Sequence, residues 1–436
     1  MKTRIVSLKA RQVWDSRGRP TVEAEAALAG GASGRAIAPA GASRGAHEAV
    51  DRRDGGARFG GMGVDGAVEG VNGALARALE GLDAADQAAI DAAIVAADGT
   101  PNKARLGANA TVAVSMAVLH AAASAAGEPL WRYLSGGRDV RLPLPEIQIF
   151  GGGAHAGRRT DIQDFMVMAP HAGSVRRALE ITADIYRAAG ELMAARGTLA
   201  GTADEGGWWP AFGSNEAALV ALTEAIERAG YRPGRDVWIS LDVAANELFD
   251  GEAYRLPLDG AALESGAMVA RVAGWAARYA IASIEDPVSQ DDLAGMAEAT
   301  RRLGGRVQMI GDDILVTDAR RVAKAAEAGA CNAALIKVNQ AGTVSEAKAA
   351  LEAARARGWA TIVSARSGES EDVTIAHLAT GWDAGQLKVG SFARSERMAK
   401  WNELLRIEEA LGDKARFAGA DAFPAAVAAH IRSHAP

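Results

Sequence analysis

Hydrophobic positions change period along the chain, and the change divides it. Residues 4–14 and 21–29 alternate in the two-residue rhythm of half-buried strands, and 34–38 is a third short segment of that kind. Gly and Pro punctuate the gaps between them. Helical periodicity follows over residues 86–97 and 108–126, and Gly127-Glu128-Pro129 stops it. The polar, turn-rich Ser135-Gly136-Gly137-Arg138-Asp139 marks a boundary. Residues 1–138 are therefore expected to form a small α+β unit, and residues 139–436 a larger domain.

From Leu142 the pattern alternates. Helical runs at 174–196, 215–229, 267–279, 292–303, 318–328, 343–357 and 372–380 are interleaved with short apolar runs at 237–241, 281–284, 307–310, 333–336, 360–363 and 386–387. Strand then helix, repeated this often, predicts parallel βαβ units, in an open sheet or a closed barrel. The apolar runs deliver ionisable groups at their C-terminal ends: Asp242, Glu285, Asp312-Asp313, Lys337, Arg366 and Lys388. In a barrel all strand ends open on one mouth, whereas an open sheet gathers such groups near its switch point. The spread over consecutive strands favours the barrel.

Three carboxylates from successive strands repel unless a divalent cation neutralises them, and an all-oxygen set suits Mg²⁺ rather than zinc. The competing reading is that Asp242, Glu285 and Asp312 merely cap the helices that follow. Lys337 and Lys388, on later strands, tip the balance toward chemistry. A lysine near other cations gives up its proton more easily and becomes a usable base. Cation plus lysine base is the arrangement for removing a proton next to a carboxylate and stabilising the resulting enediolate. Glu205, in Asp204-Glu205-Gly206-Gly207, is a candidate general acid held over the mouth, or part of a solvated turn. The Gly-rich stretch 151–157 could form a lid with His155 at its tip, and the small-residue loop 39–45 offers the hydroxyl of Ser43 to a metal.

Composition narrows the rest. With 49% hydrophobic and 23% charged residues the chain is an ordinary globular protein, not a disordered or collagen-like one. Lys plus Arg number 48 against 54 Asp plus Glu, a net charge of −6 without the basic excess of a nucleic-acid binder. Cys331 is the only cysteine, so no intrachain disulfide is possible and a reducing cytoplasm is the simplest address. The start lacks the apolar run of a secretory signal. Residues 108–127 approach the length of a membrane span, but Asn109, Ser115, His120 and Ser124 interrupt an Ala-dominated run, so a buried core helix is expected instead.

At these residues the sequence resembles the enolase (phosphopyruvate hydratase) family over nearly its whole length. The matching stretches are DSRGRPTVE at 15–23, LGANA at 106–110, DEGG at 204–207, SIEDP at 283–287, GDD at 311–313 and LIKVNQAGT at 335–343. RSGESED at 366–372, ARSER at 393–397 and LLRIEEAL at 404–411 complete the series. The resemblance implies an enolase-type (β/α)8 barrel under an N-terminal α+β capping domain, usually a dimer. It implies Asp242, Glu285 and Asp312 as Mg²⁺ ligands, with Ser43 on a second Mg²⁺. Lys337 would be the base at C2 and Glu205 the acid for the departing 3-hydroxyl. Lys388 and Gln163 would bind substrate, Arg366 and Ser367 its phosphate, and His155 would sit on a mobile loop.

Departures from the family pattern cluster around the substrate. The family's VSHRSGE reads Val363-Ser364-Ala365-Arg366-Ser367-Gly368-Glu369, so a histidine has become Ala365. QEF reads Gln163-Asp164-Phe165, and SGASTG reads Ala40-Gly41-Ala42-Ser43-Arg44-Gly45. The asparagine of NGG is Gly151, and GGFAP reads Gly206-Gly207-Trp208-Trp209-Pro210. With the metal set and Lys337 intact, enolate formation is expected to survive. Asp164, Ala365 and Arg44 suggest a pocket remodelled for a larger or more anionic relative of 2-phosphoglycerate or phosphoenolpyruvate, as in the carboxyphosphonoenolpyruvate synthases of phosphonate pathways. Phosphopyruvate hydratase activity is the alternative, and a non-catalytic binding protein is a third reading that the retained site residues disfavour.

Overall fold

The structure, a computed structural model, describes residues 2–42 and 44–435. The chain opens with an antiparallel sheet of β1 (Ile5–Trp14), β2 (Pro20–Leu28) and β3 (Ser33–Ile37), in that order. Val22, Ala24 and Ala26 of β2 are buried, and so are Thr21 and Glu23 between them. The sheet packs on the helix Ala108–Ala126. Contact is close at Gly34, where an added Cβ would lie 2.1 Å from the backbone nitrogen of Ala121, so only glycine fits. By length and composition this helix could cross a membrane, yet 83% of its most apolar window is buried inside the protein. Its polar interruptions are used locally, as when Asn109 accepts the backbone N–H of Arg52 at 3.1 Å.

Eight strands then close a barrel: β4 (Leu144–Gly151), β5 (Asp164–Met168), β6 (Trp238–Asp242), β7 (Ile281–Glu285), β8 (Gln308–Gly311), β9 (Ala333–Ile336), β10 (Ala360–Ser364) and β11 (Gly385–Ser391). Each pairs with the next, and β11 returns to β4. The uniformly parallel reading of the strand–helix alternation needs correction. β5 runs antiparallel to both β4 and β6, while the other pairs are parallel. Neither β4 nor β5 stood out, because both are buried on all sides and expose no solvent face. The reversal matters for the site. It makes the β4–β5 connection a loop at the mouth, and it sends the chain back through the helix Val175–Ala195 to a second mouth loop carrying Glu205 before the helix Asn215–Arg228.

The outer helices match the periodic runs to within a few residues. Several offsets are cap residues: Ser174, Asp292, Asp318 and Thr343 each accept a backbone N–H from the first turn. The helices Ser395–Leu411 and Ala425–Arg432 were not foreseen. The N-terminal part covers the mouth. Ala40 and Gly368 exchange backbone hydrogen bonds at 2.9 and 2.8 Å, and Arg17 donates to Ser367 Oγ at 3.2 Å.

One buried histidine gives the fold an acid limit. His377 Nε2 lies 3.5 Å from Glu403 Oε1, between the helices Thr374–Gly381 and Ser395–Leu411. Burial pushes its imidazole down to about 4, with Glu403 opposing and His120 adding to the depression. Between about pH 6.5 and about pH 4 the unfolded chain therefore binds the proton and the folded chain does not, so stability falls as pH is lowered through that window. Denaturant titrations should show the parent protein losing roughly 2 to 3 kcal/mol more than His377→Gln between about pH 7.5 and about pH 4.5. Equal losses would mean that His377 is already charged in the folded protein.

Candidate active site

Strand ends set the geometry. Asp242 and Glu285 are direct neighbours across β6 and β7, and Asp164 pairs with Asp242 because reversed β5 starts at the mouth. Asp312 follows β8, Lys337 follows β9, Ala365 to Ser367 follow β10, and Lys388 lies in β11 just before a register shift. Most of these side chains line a small, partly open pocket at the mouth. Lys337, Lys388, Asp164, Glu205, His155 and Asp242 line it, together with Gln163, Ala365, Arg366 and Ser367.

Two ammonium groups organise the carboxylates. Lys388 Nζ donates to Asp242 Oδ2 at 2.8 Å and to Glu285 Oε2 at 2.7 Å. Lys337 Nζ bonds Asp312 Oδ2, and Gln340 donates to the other Asp312 oxygen at 2.8 Å. Gln163 donates to Asp242 Oδ2 at 3.0 Å, and Asp242 Oδ1 accepts the backbone N–H of Ala244 at 3.0 Å. The simple helix-capping reading thus fails for Glu285 and Asp312 and is at most half true for Asp242. Burial raises Glu285 well above the usual carboxylate range, with Asp242 adding to it and Lys388 opposing. Burial also acts to raise Asp312, but Lys337 outweighs it and the carboxyl ends up lowered. Lys337 differs from expectation: burial favours its neutral amine, but Asp312 overcomes this and the lysine is held protonated.

A neighbouring acid supports Asp312. Asp286 has a left-handed backbone (φ 39°), and its carboxylate accepts the backbone N–H groups of Asp312 at 3.0 Å and Asp313 at 2.6 Å. Asp286, Asp312 and Asp313 bring ligand atoms within 4.8 Å of one another. Asp286 is nevertheless committed to the loop that aims Asp312. The carboxyl of Asp313 is pushed up to about 7, by burial first and Asp312 second.

The mouth loops form the opposite wall. His155 is buried, with Nδ1 at 3.6 Å from Asp164 Oδ1 and Nε2 at 3.9 Å from Glu205 Oε1. Burial works against its protonation, but Glu205 and Asp164 reverse that and raise it. The loop is tied down where Arg158 pairs with Glu247 at 3.0 Å. Gln148 was missed by the sequence reading. From β4 it donates to Asp164 Oδ1 and accepts the backbone N–H of Gly207 at 2.9 Å, linking Asp164 to the turn that carries Glu205. A Cβ on Gly207 would lie 2.3 Å from Gln148 Oε1. The one available signal was the alternation of Glu146 and Gln148 with apolar residues in LPEIQIFG.

Other expected residues are placed as follows. Arg366 is buried and paired with Glu48 at 3.0 Å, while Nη1 also donates to Asn339 at 2.9 Å. Ser367 Oγ accepts the backbone N–H of Ala42 at 2.6 Å. Ala365 is a wall residue of the cavity. Arg44 does not line the cavity: its guanidinium pairs with Asp51 Oδ2 at 2.8 Å and its side chain is 37% exposed. Ser43 lies outside the described residues.

The donor set suits a hard dication. Asp242, Glu285 and Asp312 are buried carboxylates, paired among the described residues with two ammonium groups, those of Lys337 and Lys388. Glu285 Oε1 is buried with no hydrogen-bond partner among the described residues, an acceptor for which the protein itself supplies no donor. Oxygen donors of this kind fit Mg²⁺ or a similar ion.

Comparison with known proteins agrees with this geometry. Residues 5–134 match the family model described as the N-terminal domain of enolase, and residues 139–426 match that of the enolase C-terminal TIM barrel domain. "Enolase 1" of Desulfitobacterium hafniense (strain Y51) is 49% identical over 426 residues, covering 97% of this chain and 98% of that protein.

Proposed function

Because this chain belongs to the enolase family of carbon–oxygen lyases, we propose that it is a phosphopyruvate hydratase, dehydrating 2-phosphoglycerate to phosphoenolpyruvate. The observation that carries the reading is the juxtaposition, in one cavity, of Lys337 on Asp312 with the Asp242–Lys388–Glu285 cluster, facing Glu205. Lys337 takes the proton from C2, and Glu205 delivers one to the departing 3-hydroxyl. Asp242, Glu285 and Asp312 would hold Mg²⁺, which when bound supplies the positive charge that an enediolate needs and draws off the carboxylate charge that now keeps Lys337 protonated. Lys388 and Gln163 receive the substrate carboxylate end, and Arg366 and Ser367 its phosphate. His155, on its lid loop, excludes water above Glu205 and Asp164. The protein would work in the cytoplasm, as a homodimer, with residues 1–138 as the cap and 139–436 as the barrel.

The remodelled-pocket reading keeps one specific support, Ala365 and Asp164 in the cavity wall. It loses another, since Arg44 is engaged by Asp51. Incubation with Mg²⁺ and 2-phosphoglycerate in D₂O separates the two readings. Phosphoenolpyruvate formation, followed by NMR, is the expected result. Exchange of C2–H without dehydration would defeat the hydratase assignment and return weight to a phosphonate-type substrate. In the hydratase reading, Ala365→His together with Asp164→Glu should raise kcat/KM by roughly tenfold or more, on the scale that small displacements of catalytic groups cost.

A further inference from the structure

Glu146 has no role in the chemistry above, yet it is fully buried inside the barrel. It lies on β4 in register with Lys388 of β11, and its side chain crosses the lumen to Ser240 of β6, whose hydroxyl donates to Oε1. Glu146 Oε2 has no hydrogen-bond partner among the described residues. The lumen around it is polar, unlike the branched apolar layers usual in such barrels. Gln308 donates to Ser283 Oγ at 3.0 Å, and Gln386 donates to Gln308 Oε1 at 2.7 Å. Burial pushes the Glu146 carboxyl up, and the charge of Lys388 draws it back down. An acid with one idle oxygen in such a place is costly unless another state of the protein uses that oxygen.

Lys388 is the neighbour able to use it. Its ammonium is committed to Asp242 and Glu285, with Asp164 Oδ2 farther off at 3.8 Å. A dication on Asp242 and Glu285 removes both close partners, and a buried ammonium without an anion is disfavoured. We infer that Glu146 is a positioning residue for cation loading: its free oxygen supplies an anion to the Lys388 ammonium when a dication takes over Asp242 and Glu285. The inference rests on reading those carboxylates as a cation site. Loading brings the group into balance, because the dication offsets the two carboxylates it takes over and the ammonium is left to offset a third.

Calorimetric titration of the full chain with MgCl₂, without substrate, tests this. E146Q keeps the shape and an acceptor for Ser240 but removes the charge, and it should weaken Mg²⁺ binding roughly tenfold. In a K388M background the same substitution should change nothing, since no ammonium needs a new partner. An unchanged Kd in E146Q would overturn the inference, as would equal weakening with and without Lys388. If the parent chain binds no Mg²⁺, the cation reading falls with it; if the parent binds and E146Q binds equally well, only the role of Glu146 falls. Far-ultraviolet circular dichroism of each variant verifies that the fold is intact.

Discussion

Lys337→Ala should abolish solvent exchange of the C2 hydrogen of 2-phosphoglycerate, lowering the exchange rate by roughly 1,000-fold or more, the scale of a lost general base. Mg²⁺ binding should survive, because the substitution frees Asp312 Oδ2 from the ammonium that now holds it and leaves Asp242 and Glu285 untouched. Lys337→Arg sharpens the test. An arginine would still pair with Asp312, but its guanidinium does not give up its proton in proteins. If Lys337 works as a base, the arginine variant is as inactive in exchange as the alanine variant. If it only supplies positive charge, arginine retains much of the rate. NMR of the C2–H signal in D₂O, alongside calorimetric Mg²⁺ titration, reads both quantities. Persistent exchange in Lys337→Ala would place the base elsewhere in the cavity.

The parts of this site that were legible in the sequence are those whose signal is local. An apolar run ending in a charged residue is visible as such, and Asp242, Glu285, Lys337 and Lys388 were found that way before any coordinates. The N-terminal strands were legible in part because β1 alternates over Leu8–Ala10, with Leu8 and Ala10 buried and Lys9 exposed. β4 and β5 expose no face, since every residue in them is buried, and the brief alternation at Glu146 and Gln148 is too short to mark a strand. Their antiparallel pairing was therefore hidden, and so was the reason His155 and Asp164 face Glu205. Long-range partners were equally invisible. Gln148 meets Gly207 from 59 positions away and Glu48 meets Arg366 from 318 positions away. Arg44 shows the converse error: a residue chosen for its chemistry was assigned to the cavity, whereas it pairs with Asp51, seven positions on.

Glu205→Gln should separate the two halves of the reaction. Its carboxyl lines the same pocket as Lys337, with Oε1 3.9 Å from His155 Nε2, and among the described residues it makes no ion pair with Lys337. Proton removal at C2 requires only Lys337 and the charges around it, so exchange in D₂O should fall less than about tenfold. Loss of the 3-hydroxyl requires a proton delivered to the leaving oxygen, which an amide cannot supply, so phosphoenolpyruvate formation should fall by roughly 100- to 10,000-fold. The turn carrying Glu205 should keep its position, because Gln148 holds it through the backbone of Gly207 rather than through the carboxyl. Equal loss of exchange and dehydration would mean that Glu205 is needed to bind the substrate. Undiminished dehydration would shift the acid to Asp164, whose Oδ1 is the other contact of His155. Exchange and product formation, measured in one NMR time course, distinguish these three outcomes.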